Sequence, residues 1–578
     1  MSTFSERMVQ KEPWAGLMMG NHALVRAMLE SGTMVVTAYP GSPTPEIADA
    51  IEAIPNDERP FHFEWSTNEK VALETAFGAS INGHLSCVFF KSVGLNVALD
   101  SAVQLSLLDL VGGMVLVIGD DPGANSSQNE QDNRHIARMA YMPMYEPGTP
   151  DEAFRMYKEA AVLSQRLKMP VILRMTTHVC HAREVIQFGA IPDEEYDWTP
   201  GFKAKGLDYW PITEAVFPLK RRAFAKLHAA EKEAEKSPFT EVISPNGSAA
   251  GGESRLGVIT CAIPAYSVLE CLDQSGAALD ILKLGITYPL PRQRILDFLN
   301  EHDEVLLLEE LDRVIEVEVK SMAFDEGVKT KILVRPEVEH LMKEFTPERT
   351  WELLSQIWPD VFPAREKRPE PTEEVSPRIA QMCPGCGHRS AFHAIRELLL
   401  EEYPDAITVA DIGCHTLGSL EPYELGTVLL CMGHSNGTGA GLAIGNKSRP
   451  VLTFIGDSTF YHAGLPAIVN AIAYNHNMTL IVMENYTTAM TGNQPTHGSG
   501  EYGDKIDIPK VLESFGCKFV KSTDTYMQDK LKELLREAIA FEGFAVVIAK
   551  HPCMLKFTRD RIRRLSQKRA AEVEAVKS

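Results

Sequence analysis

The chain has no run of eighteen apolar residues, so no membrane-spanning helix is expected. It is poor in positive charge. Its 57 lysines and arginines face 78 acidic residues, for a net charge of −21. Binding to nucleic-acid phosphates requires a basic footprint, so that class of partner is excluded. The excess of acid reads as solubility. The opening stretch MSTFSERMVQKEPW lacks an apolar signal core, so a cytoplasmic address is expected. Ten cysteines in 578 residues are too few for the disulfide framework of a secreted protein. Their spacing carries more than their number. No internal repeat is present. What remains is apolar enough for large cores, and its length suits about three or four domains.

Along the chain, short apolar strands alternate with helices, which predicts an α/β fold of doubly wound parallel sheets. Residues 1–195 hold MVVTAYPGSPTPEIADAI, HLSCVFFKSVGLNVALD, GGMVLVIGDDPG and MPVILRMTT. Residues 196–255 change character, with a charged helix (KLHAAEKEAEKSP) and a flexible stretch (SPNGSAAGGESR). A smaller α/β unit is expected at 256–345, with strands LGVITCAI, ALDILKLG, VLLLEE and KILV. A charged, proline-rich linker covers 346–377, a last α/β domain 378–560, and a solvated, charged tail 561–578.

The last domain carries the most informative pattern. An apolar strand, Val451 to Ile455, ends in Gly456-Asp457-Ser458. A second strand, Thr479 to Met483, ends in Glu484-Asn485, and the side chains of Asp457 and Asn485 lie 28 residues apart. In a strand–helix–strand unit, that interval brings both to the carboxyl edge of one parallel sheet, where α/β ligands bind. A carboxylate, an amide oxygen and a nearby carbonyl suit a hard cation such as Mg2+, which also takes diphosphate oxygens. The pattern resembles the thiamine-diphosphate motif, with Ser458 where that family usually has glycine. The same residues would also serve as an ordinary turn in which Asp457 caps a helix.

Seven segments in one order extend the likeness: AYPGSPTPEI, NEKVALETAFGAS, FFKSVGLNVALD, DDPGANSSQNEQDNR, CPGCGHRSAF, DIGCHTLG and GDSTFYHAG…NYTTAMTG. Together they resemble the large subunit of indolepyruvate:ferredoxin oxidoreductase and related thiamine-dependent 2-oxoacid oxidoreductases. The likeness spans most of residues 15–560, except 195–255. It implies a pyrimidine-binding domain, a small transketolase-C-like domain and a diphosphate-binding domain, in that order. It gives Glu69 the catalytic role of contacting the aminopyrimidine ring. Read alone, Glu69 is a first-turn acid favoured by the helix dipole. The resemblance also gives Mg2+ to Asp457, Asn485 and the Thr487 carbonyl. It places Pro40, Gly41, Ser42, Lys91, Gly94, Asn96, His415, Gly433, His434, Gly437, Gly456, Ser458, Ala489 and Met490 around the cofactor.

Cys383-Pro-Gly-Cys386 is a CxxC, with Cys414 and Cys553 far beyond it. Two thiols at that spacing suit one metal centre, zinc or redox, or two unligated thiols. In the family, a CxxC with two distant cysteines at such positions holds a four-iron–four-sulfur cluster. The resemblance therefore assigns Cys383, Cys386, Cys414 and Cys553 as its ligands. Cys87, Cys180, Cys261, Cys271, Cys431 and Cys517 read as small core residues. The polar loop after Gly119 (Asp120, Asp121, Asn125, Ser126, Ser127, Gln128) stands where active-site loops sit in α/β folds. His178, His181, His415, His434, His462 and His497 lie near predicted strand ends.

The family's large subunits usually end in a ferredoxin-like module with two CxxCxxCxxxC runs, and this sequence contains neither. Electrons are therefore expected to leave through another subunit or carrier, ferredoxin among them. The implied reaction is oxidative decarboxylation of an arylpyruvate-like 2-oxoacid to acyl-CoA and carbon dioxide, with coenzyme A as co-substrate. A small companion subunit and a dimer of such pairs are implied with it. Two other readings stand beside this one. A non-oxidative decarboxylase of the phosphonopyruvate or sulfopyruvate type would share Asp457 and Asn485 but need no cysteines. A non-catalytic scaffold subunit would need none of these side chains.

Overall fold

A computed structural model describes residues 4–192, 197–199, 201–203, 208–247, 255–365, 380–501 and 503–577, with side chains described up to residue 566. Most of SPNGSAAGGESR and residues 366–377 of the 346–377 linker lie outside the described residues. The chain forms two compact units, Met1–Pro369 and Glu370–Ser578. Among the described residues, no helix is long and apolar enough to cross a membrane.

The first unit is built on a seven-stranded sheet. Its order across the sheet is Ile286–Tyr288, Met144–Tyr145, Pro170–Thr176, Met114–Asp120, Ser86–Lys91, Val35–Ala38 and His62–Trp65. All neighbours run parallel except the first pair. VVTA, SCVFF and MVLVIGD are buried throughout, as strands covered on both faces must be. Chain order reverses between Val35–Ala38 and Ser86–Lys91. The loops leaving those two strands therefore splay apart and open a crevice, the place where ligands bind in such sheets. Those loops are 39–44 and 92–96, two of the segments that carry the family likeness.

A second sheet in the same unit orders Lys331–Val334, Glu304–Leu308, Leu256–Cys261, Asp280–Leu284 and Glu241–Ile243, with only the last antiparallel. The four parallel members are those read from the sequence. The fifth comes from the 196–255 segment, whose charged helix runs from Val216 to Ala234. Two features escape the sequence reading. Trp14–Met19 and Arg183–Phe188 pair as an antiparallel ribbon. Pro347–Ile357 is a helix inside the segment read as linker, capped by Thr346 and burying Trp351, Leu353 and Leu354.

The second unit holds one all-parallel sheet, ordered Ile407–Val409, Val451–Gly456, Met478–Glu484, Phe544–Lys550 and Phe519–Asp524. VLTFIG, MTLIVME and FAVVIA are buried runs, so the central strands sit between two helical layers. The tail continues as the helix Met554–Lys577.

Candidate functional site

In the first unit, Glu69 opens the helix Glu69–Ile81. Asn68 caps that helix by accepting the Val71 N–H, so Glu69 is free of the capping duty. Its side chain is only 5 % exposed. Gly94 makes room for it: a Cβ there would stand 2.7 Å from both Glu69 Cγ and Oε1. Real Cβ contacts are not that short, so the backbone at 94 is a cradle for this carboxyl. The cradle is braced from behind. Gln131 donates to the Ser92 carbonyl and to Asn96 Oδ1, while Asn133 donates to the Ser92 carbonyl and to Asp120. Asp120 is buried and paired with Arg174 at 2.6 Å. Thus Asn96 and the 92–96 turn are held by the DDPGANSSQNEQDNR loop. Sequence reasoning marked that loop as polar but did not single out Gln131 and Asn133.

Adding a methyl group at Gly94 should push Glu69 out of its seat. Gly94→Ala is expected to remain folded and lose most activity, with turnover per folded chain as the measurement. Activity equal to the native level would show that the close approach is immaterial.

In the second unit, Asp457 follows the strand Val451–Gly456 and is buried. It accepts N–H donors from Ser458 at 2.8 Å, Tyr486 at 2.6 Å and Asn485 at 3.1 Å. Burial, reinforced by the neighbouring Glu484 carboxylate, pushes its acid up to about 7 despite those donors. Among the described residues no cation pairs with this carboxylate, and a divalent cation would supply the counter-charge that makes it easier to ionise. Asn485 Oδ1 accepts the Thr487 N–H at 3.1 Å, which bends the loop back over the strand end. Ser458 Oγ lies 2.8 Å from Thr488 Oγ1, tying the two strand ends together at the place where glycine is usual. Ala489 is half-buried, and Met490 lies at the open rim, 53 % exposed.

The glycine-rich segment is held by a residue the sequence reading did not name. Asp411 accepts the N–H groups of Gly433 at 2.7 Å and Ser435 at 2.9 Å. The available signal was its place at a strand end in DIGCHTLG. His434 accepts the Leu430 N–H at Nε2 and hydrogen-bonds Thr438 Oγ1 through Nδ1, so its imidazole staples the same loop. Gly437 is exposed, whereas Gly439 packs against Thr453 of the strand. His415 is buried beside Gly413 and Gly456, and burial, with His388 beside it, drives its pKa down to about 3. It is a neutral imidazole, and its Nε2 finds no partner among the described residues.

Cys383, Cys386, Cys414 and Cys553 are all half-buried. Burial first, and then the nearby Cys386, Cys553 and Cys383, push the Cys414 thiol up to about 12. Burial also raises Cys386, with Cys383 and Cys553 adding to it. The four sulfurs therefore occupy one neighbourhood. Among the described residues, no three His, Cys, Asp or Glu side chains stand close enough to share a single ion. A cubane distributes its four thiolates over four separate irons, so its ligands are spaced more widely than those of one ion. Cys553 also donates its N–H to the Asn485 carbonyl at 3.2 Å, so these thiols adjoin the Asp457 edge of the sheet.

His178, His181, His462 and His497 are not brought into this set. His181 lies 3.5 Å from Glu46, and the His497 ring is tilted by 52° against that of Tyr461.

Residues 26–235 match the family described as pyruvate flavodoxin/ferredoxin oxidoreductase, thiamine diphosphate-binding. Residues 411–549 match the C-terminal binding domain of thiamine pyrophosphate enzymes. The indolepyruvate oxidoreductase subunit IorA of Methanothermobacter marburgensis is 36 % identical over 552 residues, covering 93 % of this chain and 87 % of that protein. The IorA of Pyrococcus abyssi is 36 % identical over 565 residues, covering 93 % and 86 %. The chain belongs to the IorA family. It is accordingly a thiamine-diphosphate-dependent 2-oxoacid oxidoreductase with α/β architecture. A 2-oxoglutarate synthase subunit, KorB of Methanothermobacter thermautotrophicus, matches a shorter stretch, at 26 % identity over 34 % of this chain and 73 % of that protein. Among solved structures, a 2-oxoglutarate:ferredoxin oxidoreductase from Magnetococcus marinus aligns with a TM-score of 0.47 and 15 % identity, over 60 % of this chain and 65 % of that one. The Glu69 cradle lies within the first matched segment and the Asp457 strand end within the second.

Proposed function

We propose that this chain oxidatively decarboxylates an arylpyruvate, such as indolepyruvate or phenylpyruvate, to acyl-CoA. The balance is 2-oxoacid plus coenzyme A giving acyl-CoA, carbon dioxide, one proton and two electrons. The IorA relatives carry indolepyruvate in their names, which supports the aryl side chain. When bound, thiamine diphosphate supplies the electron sink for loss of carbon dioxide. The protein supplies the rest. Glu69 hydrogen-bonds the aminopyrimidine and sets its tautomer. Asp457, Asn485 and the Thr487 carbonyl hold Mg2+ against the diphosphate. In the first unit the turns at Pro40–Ser42 and Lys91–Asn96 would serve the pyrimidine half of the cofactor; in the second the turns at Gly433–Gly437 and Ala489–Met490, with His415, would serve the diphosphate half. Cys383, Cys386, Cys414 and Cys553 would hold a four-iron–four-sulfur cluster, which would supply one-electron transfer for the two electrons. A small companion subunit and a ferredoxin or similar acceptor complete the assembly, as a dimer of such pairs.

One observation carries the oxidative part. The Cys414 thiol feels all three of its proposed co-ligands, and the Cys553 amide bonds to the carbonyl of a proposed Mg2+ residue. Protein purified without oxygen is expected to hold about four irons per chain. Cys414→Ser should lose that iron, its visible absorbance and the oxidative activity, whereas Cys517→Ser should keep all three. Iron-free protein that is fully active would make the chain a non-oxidative decarboxylase.

A further inference from the structure

Lys91 closes the strand Ser86–Lys91, in register with Gly119 of the next strand, at the crevice edge of the first sheet. Its stem is pinned. Cβ, Cγ and Cδ lie 2.8, 2.9 and 3.0 Å from where a Cβ on Gly41 would stand, so the side chain runs tight along the 40–44 turn. At its head, Nζ donates one hydrogen bond, 2.8 Å long, to the Ser126 carbonyl. An ammonium group carries three donors, so two remain.

Two carboxylates lie within its electrostatic reach, Asp121 and Glu69, and their fields oppose the downward push of burial on its pKa. Neither forms an ion pair with it among the described residues. Asp121 is already engaged, by the Ser126 N–H at 2.7 Å, the Thr177 hydroxyl at 2.8 Å and the Asn125 amide at 3.2 Å. Glu69 is seated in the Gly94 cradle. Lys91 is therefore a fixed, half-buried cation without a counter-ion of its own among the described residues, beside the carboxyl assigned to cofactor activation. Partial burial of an unpaired ammonium is costly, and an arriving anion removes that cost.

We propose that Lys91 is the anchor for the carboxylate of the incoming 2-oxoacid. The proposal rests on the thiamine-dependent reading above and adds the residue that recognises the feature common to all its substrates. A lysine suits the task because it presents a compact point charge and does not demand one fixed planar approach. The anchor also explains turnover. Carbon dioxide is neutral and the acyl thioester carries no carboxylate at the reacting end, so neither product is held at this position.

Lys91→Met keeps the stem and removes the charge. In the full chain with its co-purifying subunits, KM for an arylpyruvate should rise about tenfold to a hundredfold, and Lys91→Arg should recover part of the loss. Thiamine diphosphate affinity, measured by calorimetry, should fall far less than KM rises, because Lys91 borders the cofactor but its charge is directed at the substrate. A non-reacting arylpropionate should bind the native protein more tightly than its primary amide, and the methionine variant should bind the two alike. Lys91→Gln, read in the same way, serves if the methionine variant does not fold. Unchanged KM and unchanged acid-over-amide preference would overturn the proposal. So would weaker thiamine diphosphate binding with KM intact, which would assign Lys91 to the cofactor. Native protein that binds no thiamine diphosphate would instead bring down the reading beneath it.

Discussion

Glu69→Gln is expected to lower turnover by about 10²–10⁴ while thiamine diphosphate still binds. The substitution keeps the shape and size of the side chain. It leaves the helix start intact, because Asn68 and not Glu69 accepts the capping N–H. The glutamine fits the space that Gly94 leaves open. What is lost is a carboxylate able to stabilise one tautomer of the aminopyrimidine ring. That loss acts on the activated state of the cofactor and not on its retention. Turnover at saturating cofactor, measured together with calorimetric affinity, separates the two. Native turnover in the glutamine variant would refute the role given to Glu69.

Asp457 is the second large lever. Asp457→Ala should weaken Mg2+-dependent retention of thiamine diphosphate by at least about 10–100-fold, the cost typical of lesser contacts around a metal. The same change also strips an acceptor from the N–H groups of Ser458, Asn485 and Tyr486, so alanine alone does not separate metal binding from loop order. Asp457→Asn does. It keeps an oxygen to accept from the loop but loses the charge that a dication requires. If Asp457 only orders the loop, asparagine restores cofactor binding. If it holds the metal, binding stays weak. Equilibrium dialysis against thiamine diphosphate with and without Mg2+ reads the difference, and stoichiometric retention by the alanine protein would end the assignment.

The features legible in the sequence were those with local patterns. The runs around Val451–Gly456 and Met478–Glu484 are apolar without interruption, which marks strands covered on both faces. With the strands fixed, the ends that carry Asp457 and Asn485 had to be neighbours, and the Asn485 N–H does reach Asp457. Contacts between distant segments left no such mark. Asp411 holds N–H groups 22 and 24 residues away, and nothing in the spacing announces a carboxylate as their acceptor. The fit of Glu69 against Gly94 is a contact between two helix starts, visible only once both are placed. The ribbon of Trp14–Met19 with Arg183–Phe188 joins the two ends of the first region, a pairing that alternation within either strand does not reveal. The helix Pro347–Ile357 was hidden because charged residues surround its few apolar ones, although Thr346-Pro347 is an ordinary helix start.

The strand Ile286–Tyr288 lies in the chain segment of the second sheet but pairs on the edge of the first. Close by, the buried Arg134 reaches Glu309 at 2.6 Å and the carbonyl of Glu310. The middle segment is thus no interchangeable cassette. Grafting residues 256–345 onto another scaffold, or swapping them for a relative's version, would unzip one border of the first sheet. It would also take from Arg134 its Glu309 partner and the Glu310 carbonyl, leaving Asp132 as the carboxylate that pairs with it. Chimeras in this family should therefore be joined outside residue 345, so that both sheets come from one parent.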